Sequence, residues 1–188
     1  HHHHQQQQSV DISDDRTRMI GEASAFYEQY RTALARGPGL QVVECAGDGN
    51  CLFRSVAHQI YGDESCHDVV REKCVDYMEV EADFFSQFVE GGRESFALYC
   101  AAKRMNACWG DDPEIEAMCE LYGRPAEIWA YDPYTGARKL RTFHEAMSSS
   151  SSSSLSHHNH QATAAGTMKL SYYGGGHYDS LIPITAAP

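Results

Sequence analysis

The stretch Gly47-Asp48-Gly49-Asn50-Cys51-Leu52-Phe53-Arg54 decides how the rest of the chain is read. Its first half, two glycines with a carboxylate and an amide, is turn chemistry. Its second half opens a helical pattern: Leu52, Val56 and Ile60 fall on one stripe, with Phe53, Ala57 and Tyr61 beside it. Asn50 suits the N-cap, which places Cys51 in the first turn. There the unpaired backbone N–H groups and the positive end of the helix dipole favour a thiolate, the reactive form of a thiol. The glycines allow the backbone to approach a substrate closely. The N–H groups of Asp48, Gly49, Asn50 and Cys51 are candidates to receive a developing oxyanion.

A free cysteine is by default a small buried hydrophobe, and that reading holds for any one of the seven in this chain. Cys51 is set apart by polar, glycine-rich surroundings on one side only. The turn is not a Walker loop, because no Gly-Lys-Ser/Thr follows the glycines. Nor is it the Cys-x5-Arg cradle of cysteine phosphatases, because Arg54 follows Cys51 by only three residues.

A cysteine nucleophile needs a base, and Gly174-Gly175-Gly176-His177-Tyr178-Asp179-Ser180 offers one. The flanks, Met168 to Tyr173 and Leu181 to Ile184, read as strands, so the glycines form the turn between them. Alternate strand residues share a face, so Asp179 can fix the ring orientation and tautomer of His177 while the other ring nitrogen faces Cys51. The bland alternative is a surface hairpin with an ordinary polar strand end.

Asp48-Gly49-Asn50-Cys51-Leu52-Phe53-Arg54 with a late Gly176-His177-Tyr178-Asp179 resembles the OTU (ovarian tumour) class of cysteine deubiquitinases. The likeness extends through Tyr61-Gly62-Asp63, His67-Asp68-Val69-Val70-Arg71, Ala82-Asp83-Phe84-Phe85 and the run from Glu114 to Pro125, and the whole looks closest to the DUBA branch. It implies a papain-like α+β fold, with helices around a small, mainly antiparallel sheet, over roughly residues 40–184. It further implies hydrolysis at the C-terminus of ubiquitin, with ubiquitin, polyubiquitin chains and ubiquitinated proteins as partners and no cofactor or metal. Cys51 is then the nucleophile, His177 the base and Asp179 its orienting group. Trp109, Gly110, Gly175, Gly176 and Tyr178 would frame the channel for the ubiquitin tail, although Trp109 reads equally well as core. Asp48 belongs to the family motif, but a bare carboxylate beside a thiol opposes the thiolate, so Asp48 is expected to shape the turn by hydrogen bonds. Two alternatives stand beside this reading: a catalytically idle ubiquitin-binding module, and a thiol peptidase or transferase acting on another substrate.

Composition bounds the rest. The chain has 188 residues, 42% of them hydrophobic, enough for one domain with a real core. A net charge of −11 argues against nucleic acid and against anionic membrane surfaces. No apolar run reaches the length of a membrane span and the start has no signal-peptide core. The odd cysteine count suggests reduced thiols and an intracellular home, cytoplasmic or nuclear, with a monomer as the default.

Residues 1–10 read as a low-complexity or tag-like tail, and 11–39 as an N-terminal helix and linker, the helix running from Asp11 to Arg36 with Met19, Ala23, Phe26, Tyr30 and Leu34 on one stripe and stopped by Gly37-Pro38-Gly39. Leu40 to Cys45 is a short entry segment. A second helix runs from His67 to Met78 with Val70, Cys74, Tyr77 and Met78 inward, and Phe84, Phe85, Phe88 and Val89 are expected in the core on a further short helix. Another helix runs from Glu94 to Met105, and Asp112-Pro113 starts the next. Asp111, Asp112, Glu114, Glu116 and Glu120 make the most acidic segment, either a solvated helix face or, as the resemblance implies, a surface for basic parts of ubiquitin. Strands are expected at 125–131 and 138–143 around an Asp132–Gly136 turn. A flexible Ser/His-rich insertion covers 148–166, where His157, His158 and His160 lack the partners of a metal site, and 185–188 is a tail.

Overall fold

The computed structural model describes residues 3–145 and 166–185, with side chains from residue 13 onward. The insertion expected at 148–166 therefore lies outside the described residues except for Gly166, and so do its histidines. The fold is α+β. Its helices are α1 (His3–Arg36), α2 (Cys51–Tyr61), α3 (His67–Val80), α4 (Ala82–Phe85), α5 (Gly92–Lys103) and α6 (Asp112–Tyr122). Its strands are β1 (Leu40–Val43), β2 (Ala126–Asp132), β3 (Gly136–Phe143), β4 (Met168–Tyr173) and β5 (His177–Pro183).

The strands form one sheet in the order β1-β5-β4-β2-β3. Asp132 Oδ1 accepts from the N–H groups of Tyr134 and Thr135, and Gly136 takes φ 82°, so β3 folds straight back along β2. The other edge of β2 is left for β4, which pairs with it in parallel, while all remaining pairings are antiparallel. The short entry segment Leu40–Val43 becomes edge strand β1 by pairing with β5.

Both faces of the sheet are covered. Along β2, Ala126 and Ile128 face the main core with α2, α3 and α6, whereas Trp129 and Tyr131 face the cluster built by Tyr30 and Leu34 of α1. The first helix begins at His3, ahead of the expected Asp11, and only its last turns meet the sheet. Met19 and Phe26, expected inward on the same stripe, are accordingly exposed.

Three other expectations are corrected. Of the aromatic cluster on α4 and the turn after it, only Phe85 is buried; Phe84 is 40% exposed and Phe88 59%. Asp111, not Asp112, caps α6, and its N–H donates to Glu114 Oε1 at 2.8 Å. Glu114 is fully buried rather than part of an acidic surface: Tyr99 O–H donates to it at 2.6 Å and Lys103 Nζ lies at 3.4 Å. Burial raises the Glu114 pKa, and these donors offset the cost of keeping a carboxylate there.

Candidate active site

Cys51 is the first residue of α2, whose Leu52, Phe53, Val56 and Ala57 are buried and fix the helix in the core. Gly62 closes the helix at φ 71°, with its N–H on His58 O. The turn before Cys51 is held from two sides. Asp48 accepts from Asn50 N–H at 3.1 Å and from Arg54 Nη2 at 2.6 Å. The Arg54 guanidinium holds the Asp48 carboxyl well below the usual carboxylate range. On the other side a side chain at Gly49, which has φ 85°, would collide with the Ala107 carbonyl oxygen.

Asn50 occupies the N-cap position without capping the helix. Its Oδ1 accepts instead from Arg71 Nη2 at 2.7 Å and from Ala107 N–H at 2.9 Å. The expected set of oxyanion donors is thereby narrowed, because Asn50 N–H is already committed to Asp48. Among the described residues, no hydrogen bond uses the N–H groups of Asp48, Gly49 or Cys51.

His177 opens β5, and Asp179 follows on the same face. His177 Nε2 lies 2.7 Å from Asp179 Oδ1, which also accepts from Cys45 N–H at 2.8 Å. That engagement leaves Nδ1 as the available ring nitrogen. It packs over the turn, 3.9 Å from where a side-chain carbon on Gly47 would sit. The next residue ties the strand to the nucleophile: Tyr178 N–H donates to Cys51 Sγ at 3.4 Å, and Gly176 O lies 4.0 Å from the sulfur. Residues from the first and last thirds of the chain thus meet, as their sequence patterns suggest.

Trp109, Gly110, Gly175, Gly176 and Tyr178 all line one open cleft of about 370 Å³. Trp109 is 58% exposed and therefore not core. Gly176 is packed on its ring so closely that a side-chain carbon there would sit 2.7 Å from Trp109 Cζ3. Asp111 and Asp112 line the same cleft, as do Leu140, Arg141 and Tyr172, which sequence reasoning missed. Their strands are legible in the sequence, but which sheet face meets the Cys51 loop depends on strand order, and no local pattern reveals that.

The remaining buried thiols are unsuited to attack. Burial pushes Cys45 and Cys119 up to about 12 and Cys100 to about 11, and raises Cys74 well above its ordinary value. Among the described residues, one group outside the site has metal-ligand chemistry: Glu116 and Glu120 of α6 face His144, with ligand atoms within 4.8 Å of one another. Protonated His144 would make ion pairs with both, at 3.5 and 3.8 Å.

A thiol at a helix N-terminus beside a strand-borne histidine–aspartate pair is a papain-like layout. The chain belongs to the OTU-like cysteine protease family, whose model matches residues 46–178. It is 34% identical over 169 residues to OTU domain-containing protein 5 of Xenopus tropicalis, covering 89% of this chain and 29% of that one. It is 35% identical over 154 residues to the OVARIAN TUMOR DOMAIN-containing deubiquitinating enzyme 6 of Arabidopsis thaliana, covering 82% and 26%. The chain thus spans less than a third of these curated relatives. Among solved structures, the OTUD1 OTU domain superposes with a TM-score of 0.69 at 22% identity, covering 87% of this chain and 99% of that one. An OTU deubiquitinase from Wolbachia pipientis wMel bound to ubiquitin gives 0.53 at 20% identity, covering 78% and 97%.

Proposed function

We propose that this chain is a deubiquitinase, a thiol-dependent isopeptidase cleaving between the C-terminus of ubiquitin and a lysine of ubiquitin or of a target protein. The observation that carries the proposal is the tie between Cys51 Sγ and the N–H of Tyr178, a residue that also lines the Trp109 cleft, beside the His177–Asp179 pair. A relative named as a deubiquitinating enzyme and a ubiquitin-bound structural neighbour support the choice of substrate.

In this reading Cys51 Sγ attacks the terminal ubiquitin carbonyl, and its proton passes to His177 Nδ1. The oxyanion is received by N–H groups of the turn, with Asp48, Gly49 and Cys51 the uncommitted donors. His177 then protonates the departing lysine amine, leaving a thioester, and activates water to release ubiquitin. Asp179 keeps the proton of His177 on Nε2 and stabilises the imidazolium. Asp48 acts on the turn rather than on the imidazole, because its carboxylate is spent on Arg54 and on Asn50 N–H. The glycines of the 174–176 turn and Trp109 narrow the cleft to suit a tail ending in two glycines, and Asp111 and Asp112 present negative charge to a basic partner. Seven cysteines without a disulfide favour an intracellular, reducing location, and the same reading takes the chain as a monomer acting on polyubiquitin.

Ubiquitin carrying a C-terminal electrophile tests the proposal. It is expected to form a covalent adduct with the native protein and none with Cys51→Ala. Failure to form an adduct while Cys51 still reacts with iodoacetamide would reject ubiquitin as the substrate.

A further inference from the structure

The His67-Asp68-Val69-Val70-Arg71 segment has no part in the chemistry described above, yet it ends in a buried arginine. We propose that Arg71 is a positioning residue for the oxyanion turn: by holding the Asn50 side chain, it fixes the backbone that presents the Asp48, Gly49 and Cys51 N–H groups to the substrate.

Arg71 lies on α3 with its guanidinium 4.2 Å over the Phe53 ring. Nη1 donates to Lys103 O at 2.8 Å and to Cys108 O at 2.7 Å, and Nη2 donates to Asn50 Oδ1 at 2.7 Å. Neutral oxygens, rather than a carboxylate, are the acceptors. A buried cation held this way offsets less of its desolvation cost than an ion pair does, so packing stability alone is a weak reason for it.

The position of Asn50 supplies a better reason. An asparagine at an N-cap ordinarily turns its oxygen onto the N–H of the second or third helical residue. Those donors would be the N–H groups of Leu52 and Phe53, and Asn50 forgoes them to anchor the turn that carries Gly49 and Cys51 instead. Here Oδ1 is occupied by Arg71 and by Ala107 N–H, while Nδ2 donates to Asn106 Oδ1 at 3.2 Å. The same contacts press the 106–108 loop against Gly49 and place Trp109 beside the cleft. A lysine cannot replace this arrangement: its single ammonium is a point donor and cannot hold three diverging acceptors in the plane of a guanidinium fork.

The inference rests on the deubiquitinase reading, and two reagents separate the two. Alkylation of Cys51 by iodoacetamide needs the thiolate but no oxyanion donor, whereas turnover of a ubiquitin C-terminal fluorogenic amide needs both. Arg71→Lys is expected to lower kcat about 10- to 100-fold, below the roughly 10²- to 10³-fold cost of removing an oxyanion donor outright because the donors are misplaced rather than lost, with KM and the alkylation rate each within about twofold of native. Asn50→Ala provides a second route should Arg71→Lys fail to fold. It is expected to lower kcat similarly, and the double variant should lose little more than the worse single one, because both act through one contact. Unchanged kcat in both folded variants would overturn the proposal, as would parallel losses of kcat, alkylation rate and thermal stability. A native protein that alkylates normally but never turns over the ubiquitin amide would overturn the deubiquitinase reading, and this inference with it.

Discussion

Two aspartates stand near Cys51, and their partners separate their roles. Asp179 is buried, bonded to His177 Nε2 and to Cys45 N–H; Asp48 is part-exposed and paired with Arg54. Asp179→Ala is expected to lower kcat by roughly 10²- to 10⁴-fold, the scale of losing the group that orients a general base. Asp48→Asn should cost far less in kcat, because an amide oxygen can still accept from Asn50 N–H. The reverse order of effects in steady-state assays would exchange the two roles. Asp48 also carries a pH signature. Its folded pKa is depressed, so its contribution to stability is fully present above the unfolded carboxylate value of about 3.9 and is lost as pH falls through the lower folded value. The Tm difference between native and Asp48→Asn should therefore hold from pH 5 to 8 and shrink below about pH 4. The pairing of His177 with Asp179 was legible because strand residues two apart share a face. That of Asp48 with Arg54 was not, since it joins a turn to a helix whose relative orientation no single period describes.

At the scale of elements, the start of α6 shows what charge patterns conceal. A run of acidic residues resembles a solvated helix face, and Glu116 and Glu120 retain partial exposure. Glu114 instead points inward to Tyr99 and Lys103, whose Nζ also donates to Trp109 O at 2.6 Å. The helical period places Glu114 near Ala117 and Met118 on the buried side, a signal masked by its neighbours' charge. Because Lys103 is itself largely buried, Glu114→Gln leaves a cation short of its counter-charge. A loss of about 3 kcal/mol follows, on the order of breaking a buried ion pair. In a domain of this size that is a fall in Tm of about 6–12 °C. Calorimetry giving a Tm within about 2 °C of native would show that Asp111 alone satisfies Lys103. Helix and strand types were readable from periodicity and from glycine stops such as Gly62 and Gly123, whereas the parallel pairing of β2 with β4 joins strands that are not consecutive and leaves no local trace.

For the whole molecule, α1 closes the second face of the sheet. Tyr30 is fully buried, stacks on Tyr173 with ring centroids 5.3 Å apart, and shares a 2.7 Å hydrogen bond with Ser171 Oγ. Higher on the same helix, Tyr27 O–H donates to Glu44 Oε1 at 3.1 Å, next to Cys45, whose N–H holds Asp179. The helix is therefore coupled to the site through the sheet and through this short segment. Tyr30→Ala removes a large aromatic and leaves Ser171 in an emptied pocket, a loss of about 3–5 kcal/mol. Tm should fall by about 6–20 °C. Far below that lower Tm, kcat should change by less than about tenfold, because His177 and Asp179 remain paired on β5. Tyr30→Phe, which keeps the ring and removes only the hydroxyl, should cost only about 1 kcal/mol. If turnover collapsed in Tyr30→Ala at temperatures where the protein is fully folded, α1 would be setting the catalytic geometry itself, and the sheet could not be regarded as a rigid support for the His177–Asp179 pair.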